Sequence, residues 1–204
     1  MKDQKEIIRE TNEKKIIQAA EQVFARFGFK GATTEMIARK AGLPKSNLHY
    51  YFKTKLQLYR VVLERILIEW MDAAEVFDQY QDPKTALTHY VEAKMQFSRN
   101  RPLASKVWAN EILHGATVAG DFLRTEFKNW FEDKKQIVEN WVQEGRIKPV
   151  DPYVLFYMIW SVTQHYADFE NQIEILNNDE PYNEDEYQQK TDDVVNMILT
   201  SVRV

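Results

Sequence analysis

Apolar residues recur at spacings of three and four along nearly the whole chain, and this helical period most narrows what the sequence can fold into. Only six glycines and six prolines interrupt the 204 residues. We find no alternating stretch of strand length and no internal repeat. The sequence therefore predicts an all-α fold of about nine helices, with a three-helix head at the N-terminus followed by a larger helical body.

Turn residues set the predicted boundaries in the head. Gly28 predicts the end of the first helix, and Thr33 is placed to cap a short helix over residues 34–41. A tight turn beginning at Gly42 precedes a very short helix over residues 45–51. This order of helix, glycine turn and short helix is typical of a helix-turn-helix motif.

The two motif helices have apolar residues where they must meet. Met36 and Ile37 are predicted to pack against Leu48 and Phe52, which would fix the angle between the helices. The polar residues left facing outward on the second helix are suited to the major groove of DNA: Lys45, Ser46, Asn47, His49 and Tyr50. An ordinary helical hairpin with a solvated polar face remains the alternative.

Charge is divided unevenly between head and body. Residues 1–60 contain thirteen Lys/Arg and six Asp/Glu, a net charge of +7, whereas the remaining 144 residues carry a net −11. A basic head on an acidic body is typical of a protein that binds a polyanion, although solvated charge can fluctuate this far by chance. We predict a DNA-binding domain over residues 1–55 and a ligand-binding and dimerisation domain over residues 56–204.

The amino-acid sequence of the head resembles that of the TetR family of bacterial repressors. The resemblance lies in FGFKGATTEMIARKAGLPKSNLHYYFKTKLQLY, about residues 27–60, with one departure: His49 stands where the family usually has tyrosine. It implies that DNA contacts are made by Thr33, Lys45, Ser46, Asn47, Tyr50, Tyr51 and Lys55. Because one short helix reads too little sequence alone, we also predict a homodimer that binds two half-sites of a double-stranded DNA operator.

The body is similar to the pyrimidine-utilisation repressors within that family. The similarity is carried by YMIWSVTQHYADF at residues 157–169, by the preceding DPY and by the run SRNRPLASKVWANEIL. It implies a small-molecule effector such as uracil or thymine. The residues leave open the operator sequence, the regulated genes, and whether the effector releases or promotes DNA binding.

A planar base needs an amide or carboxylate for its edge and an aromatic ring for its face. Two predicted helices of the body supply these types, so we predict effector contacts from Trp108, Glu111, Trp160, Thr163 and Gln164. The alternative is that the aromatic residues are plain core. The two helices over residues 152–176 and 184–203, with apolar faces around Trp160 and Ile198, are predicted to form the dimer interface.

Catalytic and metal-binding patterns are missing from the sequence. The sequence has no cysteine and no glycine-rich phosphate-binding loop. Glu111 and His114 have the spacing found in carboxylate-bridged metal sites, but such sites need a second motif of this kind, and the sequence has only one. We therefore expect no enzyme activity, metal or cofactor. The charged N-terminus and the lack of a long apolar stretch predict a cytoplasmic protein without a membrane span. A constitutive DNA-binding protein without ligand, or an all-α enzyme, remains the alternative.

Overall fold

The computed structural model describes residues 3–203, and the regular secondary structure in this part of the chain is all helical, with no strand. The all-α prediction is confirmed. The helices are α1 (Gln4–Gly31), α2 (Thr34–Ala41), α3 (Lys45–Tyr51), α4 (Lys55–Asp72), α5 (Val76–Gln79), α6 (Pro83–Asn100), α7 (Pro102–Leu113), α8 (Gly120–Phe122), α9 (Lys128–Gln143), α10 (Pro152–Asp168), α11 (Glu170–Leu176) and α12 (Glu184–Val202), with a π-helical segment over Leu123–Phe127 before α9.

Ten of these described helices have seven or more residues, against about nine expected. The difference arises at Phe169, where the single helix predicted over residues 152–176 divides into α10 and α11. Phe169 has φ −115° and ψ 27°, so the backbone leaves the helical region for one residue. The Phe169 carbonyl then accepts from Gln172 and Ile173 and starts the next helix. No glycine or proline marks this break, which is why residue patterns missed it.

The predicted bounds of α2 and α3 are confirmed, whereas Gly28, predicted to end the first helix, is a kink inside it. Helical hydrogen bonding runs from Gln4 to Gly31, but Gly28 lies inside it at φ 64° and kinks the chain. The Thr33 hydroxyl caps α2 by accepting from the Met36 N–H at 3.1 Å. Gly42 ends α2 in the left-handed region, at φ 66°, and its N–H bonds back to that helix.

Two compact units make up the fold. The first contains the residues up to Leu67 together with Lys106–Gly120, so it includes residues beyond the predicted domain of residues 1–55. Its core is lined by buried apolar residues of α1, α2, α3, α4 and α7: Ile16, Ala20, Val23, Phe24, Ile37, Leu48, Phe52, Leu58, Tyr59, Leu63, Ile66 and Val107.

The second unit contains Ile68–Ser105 together with the residues from Asp121 onward. In this unit α6 packs against α10 and α12, and the core between them is rich in aromatic rings. Phe77 is central to it, because its ring lies 5.2 Å from Tyr90, 5.6 Å from Trp141 and 5.6 Å from Phe156.

Side-chain caps fix where the helices of the second unit begin. Asp82 and Asp151 cap α6 and α10, each followed by proline in the first turn. Asn183 and Glu186 form a reciprocal capping box at the start of α12. The acidic stretch after α11 is therefore loop only to residue 183. Among the described residues, no helix combines the length and the apolar character that crossing a membrane requires.

Candidate nucleic-acid interface and effector site

Helix α3 presents its polar side to solvent. Lys45, Ser46, Asn47 and Tyr50 are exposed, and 67% of Tyr50 is accessible. Leu48 points the other way and is completely buried. The structure thus separates these predicted contact residues from the residue that holds the helix, and it leaves an exposed polar face of about two turns.

The remaining predicted DNA contacts border this surface. Thr33 is exposed at the start of α2, where its hydroxyl is the helix cap. His49 and Tyr51 are half-buried, and the Tyr51 ring meets the Tyr50 ring edge to face at 5.2 Å. Tyr50 is therefore supported from one side while its hydroxyl end stays accessible.

Lys55, predicted to contact DNA, has hydrogen-bond partners within the protein that the sequence did not indicate. Its ammonium donates to the Phe29 carbonyl at 2.7 Å and to the Ala32 carbonyl at 2.8 Å. The same nitrogen lies 4.5 Å from the centre of the Phe29 ring. The side chain is half-buried, and this lysine joins the start of α4 to the last turn of α1 and to the residue that follows it.

Glu111 is a buried acceptor inside the first unit. One of its oxygens accepts from the Tyr59 hydroxyl at 3.1 Å, and the other accepts from the N–H groups of Val118 and Ala119 at 2.6 and 3.0 Å. Burial, and next the Glu111 carboxylate, raise the pKa of Tyr59. With both oxygens bonded to protein, Glu111 has a structural role. His114, three residues on, is exposed.

The predicted effector residues belong to different units, with Trp108 and Glu111 in the first and the α10 residues in the second. Trp108 is buried. On α10, the Trp160 indole N–H donates to the Tyr90 hydroxyl at 2.8 Å, and the Thr163 hydroxyl donates to the Ile159 carbonyl of its own helix at 2.8 Å. Gln164 is half-buried.

A polar cluster that sequence reasoning missed lies inside the second unit. Lys94 is only 2% exposed, and its ammonium lies 3.9 Å from the centre of the Trp70 ring. Ser105 is fully buried and donates to Asp168 at 2.7 Å. Burial lowers the pKa of Lys94 to about 7, and the Asp168 carboxylate opposes this only in part. Gln164 precedes Asp168 by one helical turn.

Comparison with known proteins identifies the family. Residues 16–62 match the family described as bacterial regulatory proteins, tetR family, and residues 63–204 match the C-terminal region of YcdC-like proteins. The chain is 37% identical over 190 residues to the HTH-type transcriptional regulator RutR of Escherichia coli K12, covering 93% of this chain and 90% of that one.

Solved structures agree on the fold. A TetR family regulator from Marinobacter aquaeolei VT8 superposes with a TM-score of 0.71 at 19% identity, covering 95% of this chain and 96% of that one. The TetR family regulator PfmR from Thermus thermophilus gives a TM-score of 0.70 at 18% identity, covering 90% and 93%. The chain belongs to the TetR family and is a helix-turn-helix transcriptional regulator that binds DNA.

The buried Lys94 predicts a pH-dependent stability. Between pH 7 and the ordinary lysine pKa of about 10.4, the unfolded chain binds more protons than the folded one, so stability rises with pH. We expect a contribution of up to about 1.4 kcal/mol per pH unit in this window. Urea unfolding at pH 6–10 measures it, and in Lys94→Met this contribution should vanish.

Exposed Lys148 supplies the control. The Lys148→Met variant should keep the pH dependence of the wild-type protein. If Lys94→Met and wild type instead differ by a constant free energy of unfolding from pH 6 to 10, the lowered pKa of Lys94 is wrong.

Proposed function

We propose that this regulator is a homodimeric repressor that binds two operator half-sites through α3 and is controlled by a small effector bound in the second unit. The observation that carries the DNA-binding part is the exposed polar face of α3 over a buried Leu48. One short helix reads few base pairs, so a two-fold dimer with heads about 34–36 Å apart, one turn of DNA, supplies the rest of the specificity. Because it acts on the chromosome, we propose that it works in the cytoplasm.

The proposed contacts are tested on an operator duplex selected from genomic fragments with the wild-type protein. Lys45→Ala and Tyr50→Ala should each weaken binding by about 1–3 kcal/mol, the usual loss for one base contact. Lys148→Ala, which removes an exposed charge of the body, is the control and should bind as wild type. Gel-shift affinity that is unchanged in both α3 variants would contradict the assignment.

The dimer proposal rests on an exposed apolar stripe along α10. Val154, Tyr157 and Met158 are 57%, 53% and 39% exposed, and their helical spacing puts them along one side of α10. Phe169, directly after α10, is 53% exposed. Met197 of α12 is also exposed, at 69%. Of the two apolar faces predicted for the interface, the one around Ile198 is not available, because Ile198 is 2% exposed and already fills the core of its own unit.

A charge placed in this stripe should separate the subunits. Sedimentation equilibrium of the wild-type protein at micromolar concentration should give about twice the chain mass of 24.2 kDa. Tyr157→Glu should shift the mass toward the monomer, because a dimer would bury the new carboxylate. Leu113→Glu, at an apolar residue that is 82% exposed on α7, is the matched control and should remain dimeric. A monomeric wild type would overturn the proposal.

For the effector we propose a pyrimidine base contacted by Trp160 and Gln164. The support is the resemblance of residues 157–169 to pyrimidine-utilisation repressors, together with the polar cluster of Lys94, Asp168 and Ser105, in which Asp168 follows Gln164 by one turn of α10. An amide offers both a donor and an acceptor to the edge of a base. Contacts by Trp108, Glu111 and Thr163 stay predictions, and the hydrogen bonds of Glu111 and Thr163 do not support theirs.

Calorimetry with uracil and with thymine tests the effector. Gln164→Leu should lose about 1–3 kcal/mol of binding free energy, because the polar edge of the base would be buried without its partner. Gln96→Leu, at an exposed glutamine of α6, is the control and should bind as wild type. The effector must prefer the state with low operator affinity in order to release DNA. If an unrelated compound releases the operator DNA and neither uracil nor thymine binds, the proposal of a pyrimidine effector is wrong.

A further inference from the structure

We propose that Lys55 is a positioning residue for DNA binding: its ammonium clamps the helix-turn-helix in its binding geometry and does not contact a phosphate. The proposal rests on the DNA-binding function given above and deepens it. It departs from the expectation drawn from the family resemblance, in which Lys55 is a DNA contact. The observation behind it is the pair of short hydrogen bonds from Lys55 to the carbonyls of Phe29 and Ala32.

The two bonds close a loop that contains the whole motif. Ala32 directly precedes Thr33, the cap of α2, and Lys55 is the first residue of α4. Both motif helices, α2 and α3, lie in the chain between these two points. A contact that joins residues 29 and 32 to residue 55 therefore restrains the entry and the exit of the motif at once.

The residues around Lys55 hold its side chain in this position. Phe29 lies under the ammonium at 4.5 Å, and its ring also meets Tyr59 at 4.8 Å. Tyr59 is one turn after Lys55 on α4, so both side chains hold the same ring from one helix face. The Thr54 hydroxyl accepts from the Gln57 N–H, and the Gln57 side chain accepts from the Lys53 N–H. The start of α4 is thus fixed independently of Lys55.

Most of the hydrogen-bonding capacity of the Lys55 ammonium is also already taken. An ammonium has three protons to donate, and two of them bond to carbonyl oxygens at 2.7 and 2.8 Å. A phosphate contact would have to use the one remaining proton, on an ammonium that also lies 4.5 Å from the centre of the Phe29 ring. Lys53, two residues earlier, is exposed and is the better candidate for a phosphate at the end of α3.

Salt dependence separates a clamp from a phosphate contact. Each phosphate contact adds about 0.9 to the slope of log affinity against log salt concentration. With full-length protein and the operator duplex selected with wild type, Lys55→Met should weaken binding at least tenfold while leaving this slope unchanged. The Lys55→Met complex would keep all its phosphate contacts. Its affinity would fall because the helix-turn-helix, no longer held by Lys55, must become ordered when it binds. Lys53→Met should flatten the slope by about 0.9. A slope flattened by about 0.9 in Lys55→Met would overturn the proposal.

A second measurement does not depend on how the variant folds. In wild-type protein carrying 15N-labelled lysine, the Lys55 ammonium should exchange its protons slowly in free protein and keep the same 15N shift when DNA is added. Exchange as fast as that of the exposed lysines, or a shift that changes on DNA binding as that of a phosphate-bound lysine does, would overturn the clamp. A wild-type protein that binds no DNA would count against the proposed function alone, since the free-protein measurement still decides the clamp.

Discussion

The position of α3 depends on burial of one side of a helix that cannot stand alone. Seven residues form less than two turns, well below the length at which an isolated helix is stable in water. Leu48 is completely buried and Phe52, which ends the helix, is 4% exposed. These two contacts with the first unit's core are what fix the polar face in space. The recognition surface is therefore a product of tertiary packing, and residues that tune this packing affect DNA binding without touching DNA.

The second unit uses burial differently. Its core around Phe77 is apolar and aromatic, yet it also contains a lysine that is 2% exposed. A buried cation is a net cost to stability unless its partners compensate for the lost hydration. The pKa of Lys94 is lowered to about 7, because the cost of burying the ammonium outweighs its attraction to the Asp168 carboxylate. A feature that weakens the fold in this way is typical of a functional site, which is why the polar cluster supports an effector site in this unit.

Much of the fold was readable from the sequence because it is fixed by local contacts. The Thr33 cap bonds to a residue three positions away, and the Asp151 cap to residues two and three positions away. Gly28 and Gly42 have positive φ, which glycine adopts without strain. Such signals lie within one turn of the residue that carries them. The break at Phe169 has no such residue, and so the sequence predicts one helix where the structure has two.

The site was readable only in part, and the reason is again sequence separation. The exposed face of α3 follows from a helical period, so Lys45, Ser46, Asn47 and Tyr50 could be named in advance. Lys55 bonds to a residue 26 positions away, Tyr59 to one 52 positions away and Ser105 to one 63 positions away. No periodicity relates such pairs, and a lysine that clamps two carbonyls has the same residue type and neighbours as one that binds a phosphate. The residue type shows that position 55 carries a positive charge, whereas only the folded chain determines whether that ammonium contacts DNA or the protein's own backbone.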